Sequence, residues 1–308
     1  RQHPWENVLT PNGYVSFTSA VMTESITDTR FANLKGKDAL VDYMQERFGR
    51  RPDSGPDRSK TVLFLYWKQD DAAIYLDTSG EPLARRGYRK IPLHAPMQET
   101  LAATAILATK WSPDMPFVNP MCGSGTLGIE AALIALNKAP GLLRSNFGFM
   151  HIIGYTADYY QELRKELRQN TLKSLPAPII LNDHDAKAVH AARQNAKTAG
   201  VDLLLEFNVA DFRKTPLPEA PGVVFLNPGY GVRLDEFERL KHQYRQIGDF
   251  FKQSCQGYYG YIFTGNLKLA KHVGLKTKSR QIFYNGSIES RLLEYELYEG
   301  SRDHRENV

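Results

Sequence analysis

Apolar residues recur along this chain with two periods, and the change of rhythm divides it. Up to about residue 85 the pattern mixes strand-like runs with one helical run. Residues 14–20, 62–67 and 72–78 read as strands, whereas Ala39, Leu40, Tyr43 and Phe48 fall on or near one face of a helix over 35–48. The polar stretch 50–57, which contains Pro52, Gly55 and Pro56, stops that helix. Arg85-Arg86-Gly87-Tyr88-Arg89-Lys90 then forms a basic connector. Beyond it, short apolar runs alternate with longer amphipathic ones. Strands are expected at 115–119, 178–182, 203–209, 222–226 and 258–264, and helices at 96–110, 126–136, 158–172, 186–198 and 237–254. Continuous apolar runs such as Val223-Val224-Phe225-Leu226 suit strands buried on both faces. Two closing strands, 279–284 and 288–296, join through Asn285-Gly286, a dipeptide that favours a tight hairpin. Strand alternating with helix predicts an α/β fold. Its main part is a Rossmann-like, mostly parallel sheet with an antiparallel strand at the end, preceded by a smaller α/β domain. The expected division is 1–85 and 86–308.

Composition narrows the class. The 308 residues suffice for one large or two ordinary domains, and 42% hydrophobic with 24% charged residues marks a globular chain. No apolar run approaches the roughly 20 residues that span a bilayer, and no signal-peptide pattern is present, so no membrane partner is expected. Cys122 and Cys255 are too few for a disulfide framework and show no zinc spacing, which fits a reducing cytoplasm. His184 and His190 do not share a helix face, so no metal site is expected. The chain opens on Arg1 rather than Met, which predicts that a natural N-terminus is missing. A net charge of +5 permits a polyanionic partner without demanding one.

Two loops carry candidate chemistry. Asn227-Pro228-Gly229-Tyr230-Gly231 follows the apolar run 223–226. This group can be a Gly/Pro turn that closes the strand, or it can hold a flat, amino-bearing ring. The Asn227 side-chain oxygen and the Pro228 carbonyl can accept from an exocyclic amine, and the Tyr230 ring can stack on a base. The second loop is Asn119-Pro120-Met121-Cys122-Gly123-Ser124-Gly125-Thr126, a strand end running through a Gly-rich turn into a helix. A phosphate-binding loop is excluded because no Gly-Lys-Ser/Thr follows. Gly128 completes a Gly-x-Gly-x-x-Gly pattern, so a dinucleotide site stays open, although the acidic residue expected about 20 positions on is absent. The third reading is a site for the methyl donor S-adenosylmethionine. There the Gly turn takes the methionine part, Asp183 accepts from the ribose hydroxyls, Asp211 accepts from the adenine amine and Phe212 packs on the adenine ring. Each acidic residue could instead cap a helix or shape a turn. Cys122 has no His at a recognisable spacing and reads as a small buried residue of the loop rather than a nucleophile.

These residues resemble those of THUMP-domain RNA methyltransferases, and most closely the bacterial large-subunit ribosomal RNA guanine amino-methyltransferases. The similarity runs through Leu83 to Arg89, Ala95-Pro96-Met97-Gln98-Glu99-Thr100, the turn from Asn119 to Thr126, Ala139-Pro140-Gly141-Leu142, and Asn285-Gly286-Ser287-Ile288-Glu289. It implies a catalytic domain that begins near residue 86 and an insertion that accounts for the late Asp183. Residues 1–85 are similar to the second half of the THUMP module, whose first half is expected to be absent. It also implies Asn227, Pro228 and Tyr230 as the amine-holding residues. Pro96, Asn119, Pro120, Cys122, Gly123, Ser124, Gly125, Thr126, Asp183, Asp211, Phe212 and Asn227 would hold S-adenosylmethionine, and Arg47, Arg50, Arg51, Arg85, Arg86, Arg89 and Lys90 are candidate contacts to the RNA backbone. The family has Asp where Asn119 stands, which predicts a weaker hold on the donor. It also has Pro where Gly229 stands, which predicts a looser loop. The expected activity is methylation of a guanine amine in ribosomal RNA. Methylation of a transfer RNA guanine or a DNA adenine, or an RNA-binding role without catalysis, remains open on these residues.

Overall fold

A computed structural model describes residues 3–93, 97–229 and 234–298. The chain divides into two compact units, Arg1–Arg85 with Arg144–Leu167, and Arg86–Leu143 with Arg168–Val308. The expected two-part division therefore needs one correction, because 144–167 groups with the first unit. Local bonding explains it. Arg144 donates to the carbonyls of Ser79 and Glu81, Phe149 N–H donates to Thr78 O, and the Thr61 hydroxyl donates to His151 O. Within the segment, the rings of Phe147, Phe149 and Tyr160 pack on one another.

The first unit holds a sheet of β1 (Tyr14–Met22), β2 (Asp53–Ser54), β3 (Thr61–Lys68) and β4 (Asp71–Asp77), in the order β2-β1-β3-β4. β1 and β3 run parallel and β4 closes the edge antiparallel. Helix α1 (Thr29–Phe48) links β1 to the later strands and buries Ala32, Leu40, Val41 and Met44 against Val15, Phe17, Leu63 and Leu65. It starts six residues before the expected position, because Asp28 caps it by accepting from Arg30 N–H. Gly49 ends it in the left-handed conformation. Helix α4 (Ala157–Gln169) comes later in the chain, and all but its last two residues belong to this unit.

The second unit is a seven-stranded sheet. Its strands are β5 (Phe117–Asn119), β6 (Ile179–Asp183), β7 (Glu206–Val209), β8 (Val223–Leu226), β9 (Tyr259–Thr264), β10 (Ser279–Asn285) and β11 (Ile288–Glu296), ordered β10-β11-β9-β8-β5-β6-β7. β5 to β9 are parallel, and β11 and β10 add on antiparallel. The alternation of strand side chains separates two cores. Phe117, Ile179, Leu181, Val223, Phe225 and Phe263 face α2 (Glu99–Leu107), α3 (Thr126–Ala135) and α5 (Ala186–Ala199). Val118, Ile180, Val224, Leu226 and Ile262 face α6 (Leu234–Ser254), which contributes Leu240, Tyr244, Ile247, Phe250 and Phe251. Both faces are covered, which is why these strands are apolar without interruption. Each fully buried large side chain contributes about 1.5–3 kcal/mol. The chain leaves β5 for β6 and β7 on one side and returns to β8 on the other. The order reverses between β5 and β8, and ligands of such sheets bind outside the carboxyl ends at that reversal.

Candidate functional site

Both candidate loops start at that reversal. The backbone ladder between β5 and β8 pairs Phe117 with Val223 and Val118 with Val224, and goes no further. Asn119 extends it with a side chain, its Nδ2 donating to Phe225 O at 2.8 Å. A carboxylate could not make that bond. The Asn119 amide is therefore a structural tie between the two loops, which the expected Asp would not supply. Its Oδ1 is buried and has no hydrogen-bond donor among the described residues. Asn182 repeats the device on the other side, Nδ2 donating to Pro120 O and Ala210 O at the ends of β5 and β7.

The Gly turn is shaped for close approach. Gly123 has φ +53° with open space where a Cβ would stand, so a ligand can lie against its backbone. At Gly125, φ +86°, a Cβ would meet Ala192 at 2.9 Å, and at Gly128 it would strike Leu181 at 2.6 Å. The turn thus exposes its first glycine and seats its second and third against α5 and β6. Asp183 fixes it: Gly123 N–H donates to Oδ2 at 3.0 Å, while Asp185 N–H donates to Oδ1. His184 Nδ1 also stands 3.1 Å from Oδ1, and the two carboxylate oxygens still have a lone pair to spare for ligand hydroxyls. Burial and the neighbouring Asp183 charge push the Cys122 thiol far above its ordinary range, so it is no thiolate nucleophile.

A cavity of about 330 Å³ opens beside the turn. It is lined by Cys122, Gly123, Ser124 and Thr126 of the first loop and by Asn227, Pro228 and Gly229 of the second. Leu93, Met97, Met121 and Leu127 supply an apolar wall, and Asn285 and Ile288 of the last hairpin complete it. Pro228 is buried, and the Gly229 carbonyl accepts from Tyr244 Oη at 3.4 Å, itself bonded to Thr264 Oγ1 at 2.8 Å. Burial pushes the Tyr244 phenol up to about 12, so it stays a donor at neutral pH. A Cβ at Gly229 would stand 3.4 Å from Leu240, an ordinary contact. Tyr230 and Pro96 lie outside the described residues.

Other expected site residues have different surroundings. Both Asp211 oxygens are taken by Arg213, through its N–H, Nε and Nη2 at 2.8–2.9 Å. Those bonds hold the Asp211 carboxyl at about 2. Phe212 is buried edge-on against Phe250, 5.7 Å between centroids, as part of the core under α6. Neither residue lines the cavity, and Asn119, Pro120 and Asp183 do not line it either. Two of the expected RNA contacts point inward, which corrects their assignment. Arg86 pairs with buried Glu130, which also accepts from Tyr88 Oη, and Arg89 donates to Met97 O and Thr126 Oγ1 beside Glu99. Burial raises the Glu130 carboxyl despite these partners. Arg47, Arg50, Arg51, Arg85 and Lys90 are exposed, although Arg47, Arg51 and Arg85 reach Glu6, Asp42 and Glu81.

Sequence reasoning missed Asn195. It is fully buried on α5 and makes four hydrogen bonds, accepting from Lys90 N–H and Ile91 N–H and donating to Ile91 O and Ser124 O. It clamps the segment before Leu93 to the Gly turn. A lone amide within the stripe Ala188, Ala192, Ala196 and Ala199 was the available signal. Among the described residues no group of acidic, His or Cys side chains could hold a metal, and no helix is long and apolar enough to cross a membrane.

The fold and the paired loops define a doubly wound α/β domain with a ligand cleft at its strand reversal. Residues 86–294 match UPF0020, the RMKL-like methyltransferase domain, and the chain belongs to that family. It is 40% identical over 308 residues to the "Ribosomal RNA large subunit methyltransferase K/L" of Syntrophotalea carbinolica, covering 96% of this chain and 43% of that protein. It is 32% identical over 294 residues to the "Putative RNA methyltransferase slr0064" of Synechocystis, covering 96% and 77%. The crystal structure of SMU.472, "a putative methyltransferase complexed with SAH", superposes with a TM-score of 0.81 at 29% identity, covering 97% of this chain and 78% of that one. The chain spans less than half the length of the K/L relatives it matches.

Proposed function

We propose that the protein transfers a methyl group from S-adenosylmethionine to the exocyclic amine of a guanine in RNA, with large-subunit ribosomal RNA as the substrate. The observation that carries the reading is the single cavity shared by the Gly123 turn and the Asn227-Pro228-Gly229 loop. The residues present fit the donor. Gly123 leaves its backbone open, Asn119 Oδ1 is a buried acceptor with no donor among the described residues, and Asp183 has oxygen capacity beside the turn. Cys122, Ser124 and Thr126 would pack around it. Asp183 is the acceptor for the ribose hydroxyls in this reading. The adenine contact proposed for Asp211 and Phe212 would use the lone pair left on Asp211 Oδ2, which accepts only from Arg213 Nη2. When bound, S-adenosylmethionine supplies a methyl group on a sulfonium centre, an electrophile strong enough for a neutral amine.

The protein's own part is orientation. The Asn227 side-chain oxygen and the Pro228 carbonyl accept the two N–H bonds of the amine, which aims its lone pair into the cavity. Tyr230 supplies the stacking face for a base swung out of the RNA. A neutral aromatic amine is a weak nucleophile, so fixed orientation and close approach supply most of the acceleration. The surplus proton leaves for water after the amine becomes cationic, so no strong base is required. The first unit serves as a THUMP-like RNA-binding module in this reading. Its exposed Arg47, Arg50 and Arg51, with Arg85 and Lys90, supply phosphate contacts.

Titration calorimetry with S-adenosylmethionine and methylation of an unmodified large-subunit ribosomal RNA transcript test the proposal. Asn227→Ala is expected still to bind the donor, through the Gly turn, and to form no N2-methylguanosine detectable by nucleoside mass spectrometry. Full activity in that variant would overturn the assignment.

A further inference from the structure

The cavity has a wall that the methyl-transfer reading leaves without a task. Asn285 and Ile288, from the hairpin between β10 and β11, line it together with Asn227, Pro228 and Gly229. The sequence pattern reads Asn285-Gly286 as a turn. The structure places the turn one residue later. Asn285 is the last residue of β10, paired with Ile288 across the ladder, and the two loop residues are Gly286 and Ser287. Gly286 takes φ +64°, and neither Asn285 nor Ser287 has a positive φ. That is the arrangement of a hairpin turn whose first central position demands glycine. It asks nothing of the residue before it, so Asn285 is not there to bend the chain. Its side-chain amide makes no hydrogen bond among the described residues, and Ile288 opposite it is half exposed at 48%. A carboxamide and an apolar side chain, paired across a two-residue turn, therefore line the same cavity as the Asn227-Pro228-Gly229 loop.

We infer that Asn285 reads the base, and that it is the residue that selects guanine over adenine. The inference rests on the methyl-transfer reading above. With the guanine 2-amino group at Asn227 and Pro228, the next atoms along the same edge are N1–H, a donor, and O6, an acceptor. A carboxamide offers the complementary pair, its oxygen to N1–H and its NH2 to O6. Adenine held by its 6-amino group presents N1, an acceptor, and then C2–H. One amide arm then faces a carbon and loses its partner. Sites built to hydrogen-bond a substrate reject analogues that lack the groups, because buried polar atoms are left unpaired. Ile288 supplies the apolar surface that dries the pair. No covalent step is added: Asn285 acts on binding and register alone.

The test uses the whole chain and two RNAs. An unmodified large-subunit ribosomal RNA transcript first locates the methylated nucleotide by mass mapping. A synthetic RNA of that segment then carries either guanosine or 2-aminopurine riboside at the site. The analogue keeps the 2-amino group but lacks O6 and N1–H. Wild type is expected to prefer guanosine in kcat/KM by on the order of 10- to 100-fold. Asn285→Ala should lose most of that preference with unchanged affinity for S-adenosylmethionine, and Asn285→Asp should also lose it, because a carboxylate repels O6. A preference preserved in both variants overturns this inference and leaves the methyl-transfer reading intact. Wild type that forms N6-methyladenosine, or leaves the transcript unmodified, overturns both.

Discussion

At the residue scale, two positions separate what a side chain is from what it does here. Asp211 resembles a ligand acceptor in the linear sequence, yet its environment is an ion pair. Hydrogen bonds from the Arg213 guanidinium lower its carboxyl to about 2 against partial burial, which pushes the other way. A group depressed in the folded state stabilises above its ordinary value of 3.8 and loses that contribution as pH falls through about 2. The margin of wild type over Asp211→Asn in urea unfolding should therefore shrink between about pH 4 and about pH 2. It should be small throughout, because the pair is largely exposed. Gly229 is the second position. It stands where the family has proline, its φ is not positive, and a Cβ there makes only ordinary contact with Leu240. Gly229→Ala should raise stability by about 0.4–1 kcal/mol by restricting the unfolded chain. Denaturant midpoints check it, and a loss of stability would mean that the loop needs glycine's freedom.

At the element scale, the site depends on how separate segments are tied. β5 and β8 are joined past their ladder by Asn119, the ends of β5 and β7 by Asn182, and the connector and the Gly turn by Asn195. One asparagine in each place satisfies backbone groups that no strand or helix reaches. Asn195→Ala should cost about 2–4 kcal/mol, since it strands several buried groups at once. It should also weaken S-adenosylmethionine binding in calorimetry more than a core truncation of equal cost, such as Ile180→Ala on the opposite face. Equal losses of affinity in the two variants would show that Asn195 is only a stability residue. Arg89, bonded to Thr126 and Met97 at the cavity wall, belongs to the same scaffold and not to the RNA surface.

At the scale of the whole molecule, charge is the property that spans both units. Net charge is +5, and Arg50 and Lys90 are exposed cations for which the structure records no ion pair among the described residues. RNA affinity should fall steeply with salt. Arg50→Ala and Lys90→Ala should each reduce the slope of log K against log salt by about one for a lost phosphate contact. Filter binding between low and moderate salt measures it, and an unchanged slope would remove that residue from the interface. Arg86→Ala is instead expected to destabilise the fold, because Glu130 would remain buried without its cation.

Much of this was legible in the linear chain for a physical reason. Periodicity reports which faces are buried, so the alternation of strands and helices and both loops at strand ends followed from the apolar runs alone. Glycine spacing likewise marked the turn, since few other residues allow that backbone. What the chain could not reveal was where polar atoms find partners. The same two letters, Asp211 and Arg213, are compatible with a ligand or with each other, and only distance decides. Arg86 and Arg89 read as surface cations until Glu130 and Thr126, about 40 positions away, are brought against them. Asn285 read as a turn residue until the ladder put the turn at Gly286 and Ser287. The sequence by itself determined the sheet, the two loops and the kind of chemistry they suit. Tertiary structure alone decided which polar groups are spent on holding the fold and which remain to meet a ligand, because that depends on contacts between residues far apart in the chain.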